Sequence, residues 1–285
     1  MAEQVCRQPV FLTALRVLRT GKLRKAAWRC IGSIFYNFFY LQYKAALFRG
    51  RIPVTSVDHP LDEKIPFTPG WVTIYLDFVS FWIRTIGFLI KEFGRDAEEP
   101  VREFLDAMGD LYRFAAEVYT RNLSTTRRPR YLKKPRFILI HTFDPHLMCI
   151  PSLHVMVVIR TYTKFADIIR TLGDSGSLEP QKQELKQGAQ KITEAILYIK
   201  QHSVNCVSAA MYAMTRFDVS LFTSFEAESF VSGLFTDDEI ENPDDRREIR
   251  DHILGLYRRF MEEGDSAEVW HDPLITFLKS LPLKK

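Results

Sequence analysis

The sequence predicts an all-α protein, and three observations carry that expectation. Apolar residues recur at helical spacing, as with Phe11, Leu12, Leu15 and Leu18, with Arg16 and Arg19 between them. No stretch sustains the period-two alternation of a half-buried strand, and no internal repeat is present. Proline and glycine gather in short stretches that separate the helical windows.

In chain order, the first fifty residues read as amphipathic helix, with Ile31 to Phe48 a second, aromatic-rich helix. The stretch from Arg51 to Gly70 carries Pro53, Pro60, Pro66 and Pro69, so it reads as a loop, because proline removes a donor and blocks helix continuation. Trp71 to Phe93 and Glu98 to Tyr119 return to helical spacing. Residues 121–136 are basic and interrupted by proline, which predicts an extended loop. His154 to Thr171 reads as helix, Gly173 to Pro180 as a linker, and Gln181 to Met214 as one long helix or a helix pair. Asp244 to Glu262 is the last strong helix, with Pro243 marking its start.

Composition supplies a sizeable core, since 46% of the 285 residues are hydrophobic and 13% aromatic. Charge is uneven. Residues 1–51 hold ten Lys or Arg against one acid, whereas residues 226–285 hold fifteen acids against eight bases. The basic end suits peripheral contact with an anionic membrane surface, or pairing with the acidic tail. No base-reading motif accompanies it, which excludes nucleic acid as the expected partner. Residues 1–50 thus form a basic amphipathic region, 51–220 a helical core, and 221–285 an acidic helical region packed on that core as one domain.

Cys6, Cys30, Cys149 and Cys206 lack CxxC spacing, which argues against a disulfide framework or a zinc site and suits a reducing, cytoplasmic compartment. No cofactor and no metal is implied. The N-terminus lacks a continuous apolar core before a small-residue cleavage site, so no secretory signal is expected. A spanning helix wants about 18–20 nearly uncharged apolar residues. Cys30 to Tyr43 ends at Lys44, and Trp71 to Ile90 is interrupted by Asp77 and Arg84, so both are expected to be buried or interfacial.

Three segments hold residues suited to phosphoryl chemistry. Arg121, Arg127 and Arg128 precede Pro129 on a basic loop, where planar guanidiniums can grip phosphate oxygens. Alone, such a loop is ordinarily just solvated. Pro151-Ser152-Leu153-His154 opens a helix whose free N–H groups could seat an anion, with His154 one turn in as a proton donor. Lys200-Gln201-His202 offers a histidine that is either a nucleophile or a hydrogen-bonded structural residue.

Together, in this order, the segments resemble the signature of the type 2 phosphatidic acid phosphatase and vanadium haloperoxidase superfamily. Arg121, Arg128 and Pro129 are similar to its basic-x6-Arg-Pro motif, and Pro151, Ser152 and His154 to its Pro-Ser-x-His motif. Leu153 and the run Ile199 to His202 look like the inositol phosphorylceramide synthase-like branch, as do Asp62 to Phe67 followed by Tyr75. The resemblance spans roughly residues 58–215. It implies a helical bundle around a phosphate pocket, with His202 as the nucleophile that forms a phosphohistidine. His154 would be the general acid, and Arg121, Arg128 and Ser152 the phosphate clamp. The implied substrate is a phosphorylated, lipid-like molecule.

Two positions depart from the pattern. Four places after His202, where the family carries Asp, this chain has Cys206, and the family's usual basic residue upstream is missing, with Ile196 standing there. A carboxylate there would fix the imidazole tautomer and stabilise its charged form, so Cys206→Asp is expected to restore activity. The alternative expectation is a catalytically inactive relative that binds an anionic headgroup or a protein partner.

Overall fold

A computed structural model describes residues 4–48, 52–173, 176–237 and 239–283. Arg51, at the start of the expected loop, and Asp174 and Ser175 of the expected linker lie outside them. The chain is 72% helix and 3% strand, as the all-α expectation requires.

Helix α1 (Val10–Arg19) leads into α2 (Gly21–Ile34), which continues through a π-helical turn, Phe35–Tyr40, into α3 (Leu41–Leu47). After a Pro-rich segment come α4 (Val72–Leu76) and α5 (Phe78–Phe93), separated at Asp77 where one helix was expected. Helix α6 (Glu98–Tyr119) matches the expected span. The supposed extended loop holds a short strand and ends in the unforeseen helix α7 (Pro135–Phe143), where Pro135 occupies the first turn that tolerates it. Then follow α8 (Leu153–Thr171), α9 (Glu179–Tyr198), α10 (Val204–Phe217), α11 (Ser224–Ser232), α12 (Pro243–Asp265) and α13 (Asp272–Ser280). Of these, α11 and α13 escaped the sequence reading because each is only nine residues long.

Helix α8 is central. Every residue from Val155 to Thr163 is buried, Arg160 among them through its pair with Asp218 at 2.6 Å, and the helix packs against α5, α6, α9 and α10. Helix α2 lies along α6, burying Leu23, Ala26, Ala27 and Cys30. Gly109 permits that approach: a Cβ there would stand 3.3 Å from the Cys30 Cα. Ser33 Oγ donates to the Gly109 carbonyl at 2.6 Å, and Arg29 pairs with Asp106 across the same seam. Helix α12 of the acidic region packs on α10.

Two strands, β1 (Val54–Ser56) and β2 (Leu123–Thr125), pair in parallel with Thr55 opposite Ser124. Single bridges extend them, Ser124 to Met148 and Thr55 to Leu283. At three residues each, they are too short to display alternation.

One segment within Pro69–Tyr119 is long and apolar enough to cross a membrane by length and composition alone, with mean hydropathy 1.4. This corrects the expectation that no window reaches that threshold. The two charges that interrupt the window pair with each other, Arg84 Nη1 to Asp77 Oδ2 at 2.8 Å. That pairing softens the penalty that each charge would carry alone.

Candidate functional site

The site gathers on three junctions: the turn before α8, the turn between α9 and α10, and the loop from β2 to α7. The α9–α10 turn is where the sequence reading needs most revision. His202 lies in a break between two helices and not inside one, because Lys200 adopts a left-handed backbone (φ 56°) that ends α9. Lys200 Nζ donates to the carbonyls of Asp62 and Ile65, which docks the turn on the Pro-rich segment. Ser203 then caps α10, its hydroxyl accepting from Asn205 N.

At the head of α8, Ser152 holds the N-cap position without capping the helix. Its Oγ lies 3.4 Å from His202 Nε2. The same Nε2 lies 3.3 Å from His154 Nδ1, so the two imidazoles meet at an angle of 67°. His154 is held between the rings of Tyr75 and Phe78, at centroid distances of 4.6 and 4.4 Å. Burial among these rings pushes the His154 pKa down to about 4, with Asp144 opposing the shift. His202 is pushed well below its ordinary value by burial and then by its two histidine neighbours. Both imidazoles are therefore neutral near pH 7. His202 Nδ1 is buried with no hydrogen-bond partner among the described residues.

A third histidine completes the cluster. His146 has a left-handed backbone (φ 58°), and its N–H donates to Asp144 Oδ1 at 2.8 Å across an Asx-type turn. Its Nε2 is 2.8 Å from Thr126 Oγ1, and its Nδ1 is 3.6 Å from Asp144 Oδ2. Arg128 donates to Asp144 Oδ2, to the Asp144 carbonyl and to Gln201 Oε1, at 3.3, 2.8 and 3.0 Å. Burial pushes the Asp144 carboxyl up, but the His146 hydrogen bond, the His146 charge and Arg128 outweigh it and hold the group below the usual carboxylate range. Asp144, His146 and Thr126 were not foreseen. The available signal was Asp144-Pro145-His146, a turn-forming triplet directly after α7.

These groups border a cavity of about 230 Å³ lined by His146, His154, His202 and Asp144, with Tyr75, Phe78, Phe39 and Phe143 making it largely aromatic. Of the five residues expected to converge, His154, His202 and Ser152 do so, and Arg128 stands beside them through Gln201 and Asp144. Arg121 does not join them. Its exposed guanidinium donates to the Glu117 carbonyl at 2.6 Å, at the end of α6. Cys206 is fully buried in the first turn of α10, its thiol pushed up by burial against the opposing effect of a backbone hydrogen bond from Ser203. Its neighbour Asn205 is turned elsewhere, donating to the Val57 carbonyl at 3.2 Å and lying 2.9 Å from His252 Nε2. The described residues hold no group of three or more His, Cys, Asp or Glu suited to a metal ion.

No protein-family model matches the chain, and no curated protein or solved structure matches it either.

Proposed function

We propose that this cavity receives the phosphorylated head of a lipid-like molecule and transfers its phosphoryl group slowly through His202, in a helical bundle of the phosphatidic acid phosphatase type. The observation that carries this reading is the contact of two buried, neutral imidazoles beside the Ser152 hydroxyl, at the mouth of a central helix. In the tautomer that carries its proton on Nδ1, a neutral His202 has on Nε2 the free electron pair that attack on phosphorus requires. The N–P bond forms as the ester P–O bond breaks, and the leaving oxygen takes its proton from His154. Water, deprotonated by His154, then cleaves the phosphohistidine and releases phosphate.

His154 can act as the acid only when protonated, and burial, which pushes its pKa to about 4, opposes that. An incoming phosphate dianion would raise it, since an opposite charge within about 4–6 Å favours the charged imidazole. Ser152 Oγ and Arg128 would hold phosphate oxygens as charge spreads over them.

A second reading, binding of the same headgroup without turnover, is favoured by the unpartnered His202 Nδ1. Among the described residues no carboxylate hydrogen-bonds that nitrogen to stabilise an imidazolium.

The test is hydrolysis of lipid and soluble phosphoesters by the purified chain, with His202→Ala as control, and rapid quenching to trap labelled protein. The proposal expects slow turnover and a phosphoryl label that survives alkali, is lost in acid, and is missing in His202→Ala. Phosphate-head binding with neither turnover nor label establishes the second reading.

A further inference from the structure

The cavity does not open onto an ordinary protein surface. From α2 through the π-turn to α3, one side of the continuous helix exposes Trp28, Ile31, Phe35, Phe39, Tyr43 and Leu47, at intervals of three or four residues. Trp28 is 61% exposed, Phe35 63% and Leu47 81%. At about 1.5 Å per residue the stripe runs for roughly 30 Å, far beyond the scattered apolar residues of a solvated surface. Helix α7 adds Ile138, Leu139 and Phe143, all exposed, and is tied to the stripe by Tyr43 Oη donating to the Phe143 carbonyl at 2.7 Å. Phe39 lines both the groove along this stripe and the histidine cavity, so the two are contiguous.

Charge selects the occupant. From Gln4 to Val57 the chain contains no Asp or Glu at all. Lys22, Arg24 and Lys25 are exposed at one end of the stripe and Lys44 near the other. Tyr and Trp amid apolar side chains, flanked only by cations, is the composition of a helix lying in the headgroup layer of an anionic bilayer. A second copy of the chain fits poorly. Two-fold pairing along this stripe would set these lysines against their own counterparts, with no acid on the helix to receive them.

We infer that the α2–α3 stripe and α7 dock the protein on an anionic lipid surface, lying in its interface, and that this docking turns the mouth of the histidine cavity toward the lipid headgroups. Binding involves no phosphoester turnover, so the inference stands or falls apart from the chemistry proposed above.

The test is flotation of the full chain with phosphatidylcholine vesicles, with and without phosphatidylserine. Wild-type protein should float with the anionic vesicles, release partly in salt, and wash off in carbonate. Trp28 emission should shift to the blue on binding, a change missing in Trp28→Phe. The double variant Phe35→Ser, Leu47→Ser should bind roughly tenfold more weakly or worse, with unchanged thermal melting because both side chains are exposed. Lys22→Glu with Lys25→Glu should lose the preference for anionic vesicles. Equal binding by the serine variant overturns the inference, as does a wild-type chain that fails to float. Retention through carbonate until detergent is added overturns it in favour of a spanning segment. A stable dimer that the serine variant dissociates overturns it in favour of self-association.

Discussion

The carboxylate of Asp62 accepts the backbone N–H of Val204 at 2.9 Å and that of His59 at 2.8 Å, so one side chain holds the first turn of α10 and the Pro-rich segment together. His202 sits two residues before Val204, and its position depends on that link. Asp62→Ala would strand two amide donors and is expected to lower stability by about 2 kcal/mol or more. Asp62→Asn keeps one acceptor but turns an amide donor toward the other backbone N–H, so it should cost less than Asp62→Ala without matching wild type. Urea midpoints of the two variants check this; equal loss in both would show that charge, not the acceptor, is what matters.

Glu194 on α9 has the opposite problem, a carboxylate buried with few cations. Its Oε1 accepts the N–H of Phe235, yet burial pushes its pKa from 4.5 up to about 7. Between those pH values the folded chain binds more protons than the unfolded one, so this group's contribution to stability falls as pH rises, by roughly 3 kcal/mol across the window. Glu194→Gln should therefore be more stable than wild type at about pH 8 and nearly equal at about pH 4.5. Paired denaturation curves would read the difference directly.

Cys206→Asp, the repair that the sequence pattern suggests, should fail. The break before Val204 means that residues 202 and 206 do not share a helix, and the Cys206 thiol takes its hydrogen bond from the Ser203 backbone. A carboxylate in that fully buried position would have that backbone donor but no cation to pair with, at an expected loss of about 3 kcal/mol or more. Lower melting temperature with no gain in phosphoester turnover is the expected outcome; a rise in turnover would put position 206 against the His202 ring after all.

Arg128 hydrogen-bonds Gln201, the residue before His202, and Asp144 already occupies its guanidinium. Asp144→Asn keeps the acceptor for the His146 N–H while removing the competing charge. It should tighten binding of inorganic phosphate by about tenfold or more, well inside the roughly 4 kcal/mol that one unit-charge pair is worth at an effective dielectric near 20. Calorimetric titration of both proteins measures it, and weaker binding by the variant would show that Arg128 does not face the anion.

Long, strongly periodic helices were legible in the sequence because periodicity accumulates with length. Glu98–Tyr119 was read to the residue, and α8 to within one. Short elements carried no such signal, which is why both strands, α11 and α13 were missed. The site was half legible. Pro-Ser-x-His and the distal histidine are local patterns, and they did come together. Arg121 failed because the basic-x6-Arg-Pro spacing fixes the arginines in sequence only. The chain between them passes through β2, which leaves Arg121 back at the end of α6. Asp144 and His146 joined the site through a left-handed turn, a conformation that residue identity suggests only weakly outside glycine.

The bridge between Thr55 and Leu283 has a bearing on the order in which the molecule assembles. Ser56 N donates to the Pro282 carbonyl, Val57 N to the Thr125 carbonyl, and the Val57 carbonyl accepts from Asn205 in the first turn of α10. Segments separated by more than two hundred residues thus close a single platform beneath the histidines. During synthesis, α1 to α6 can pack as they emerge, but this platform must wait for residues 282 and 283 to arrive. Its closure entropy is met last. The cavity should be among the final features to mature on a nascent chain, and among the first to open when the C-terminal residues are pulled away.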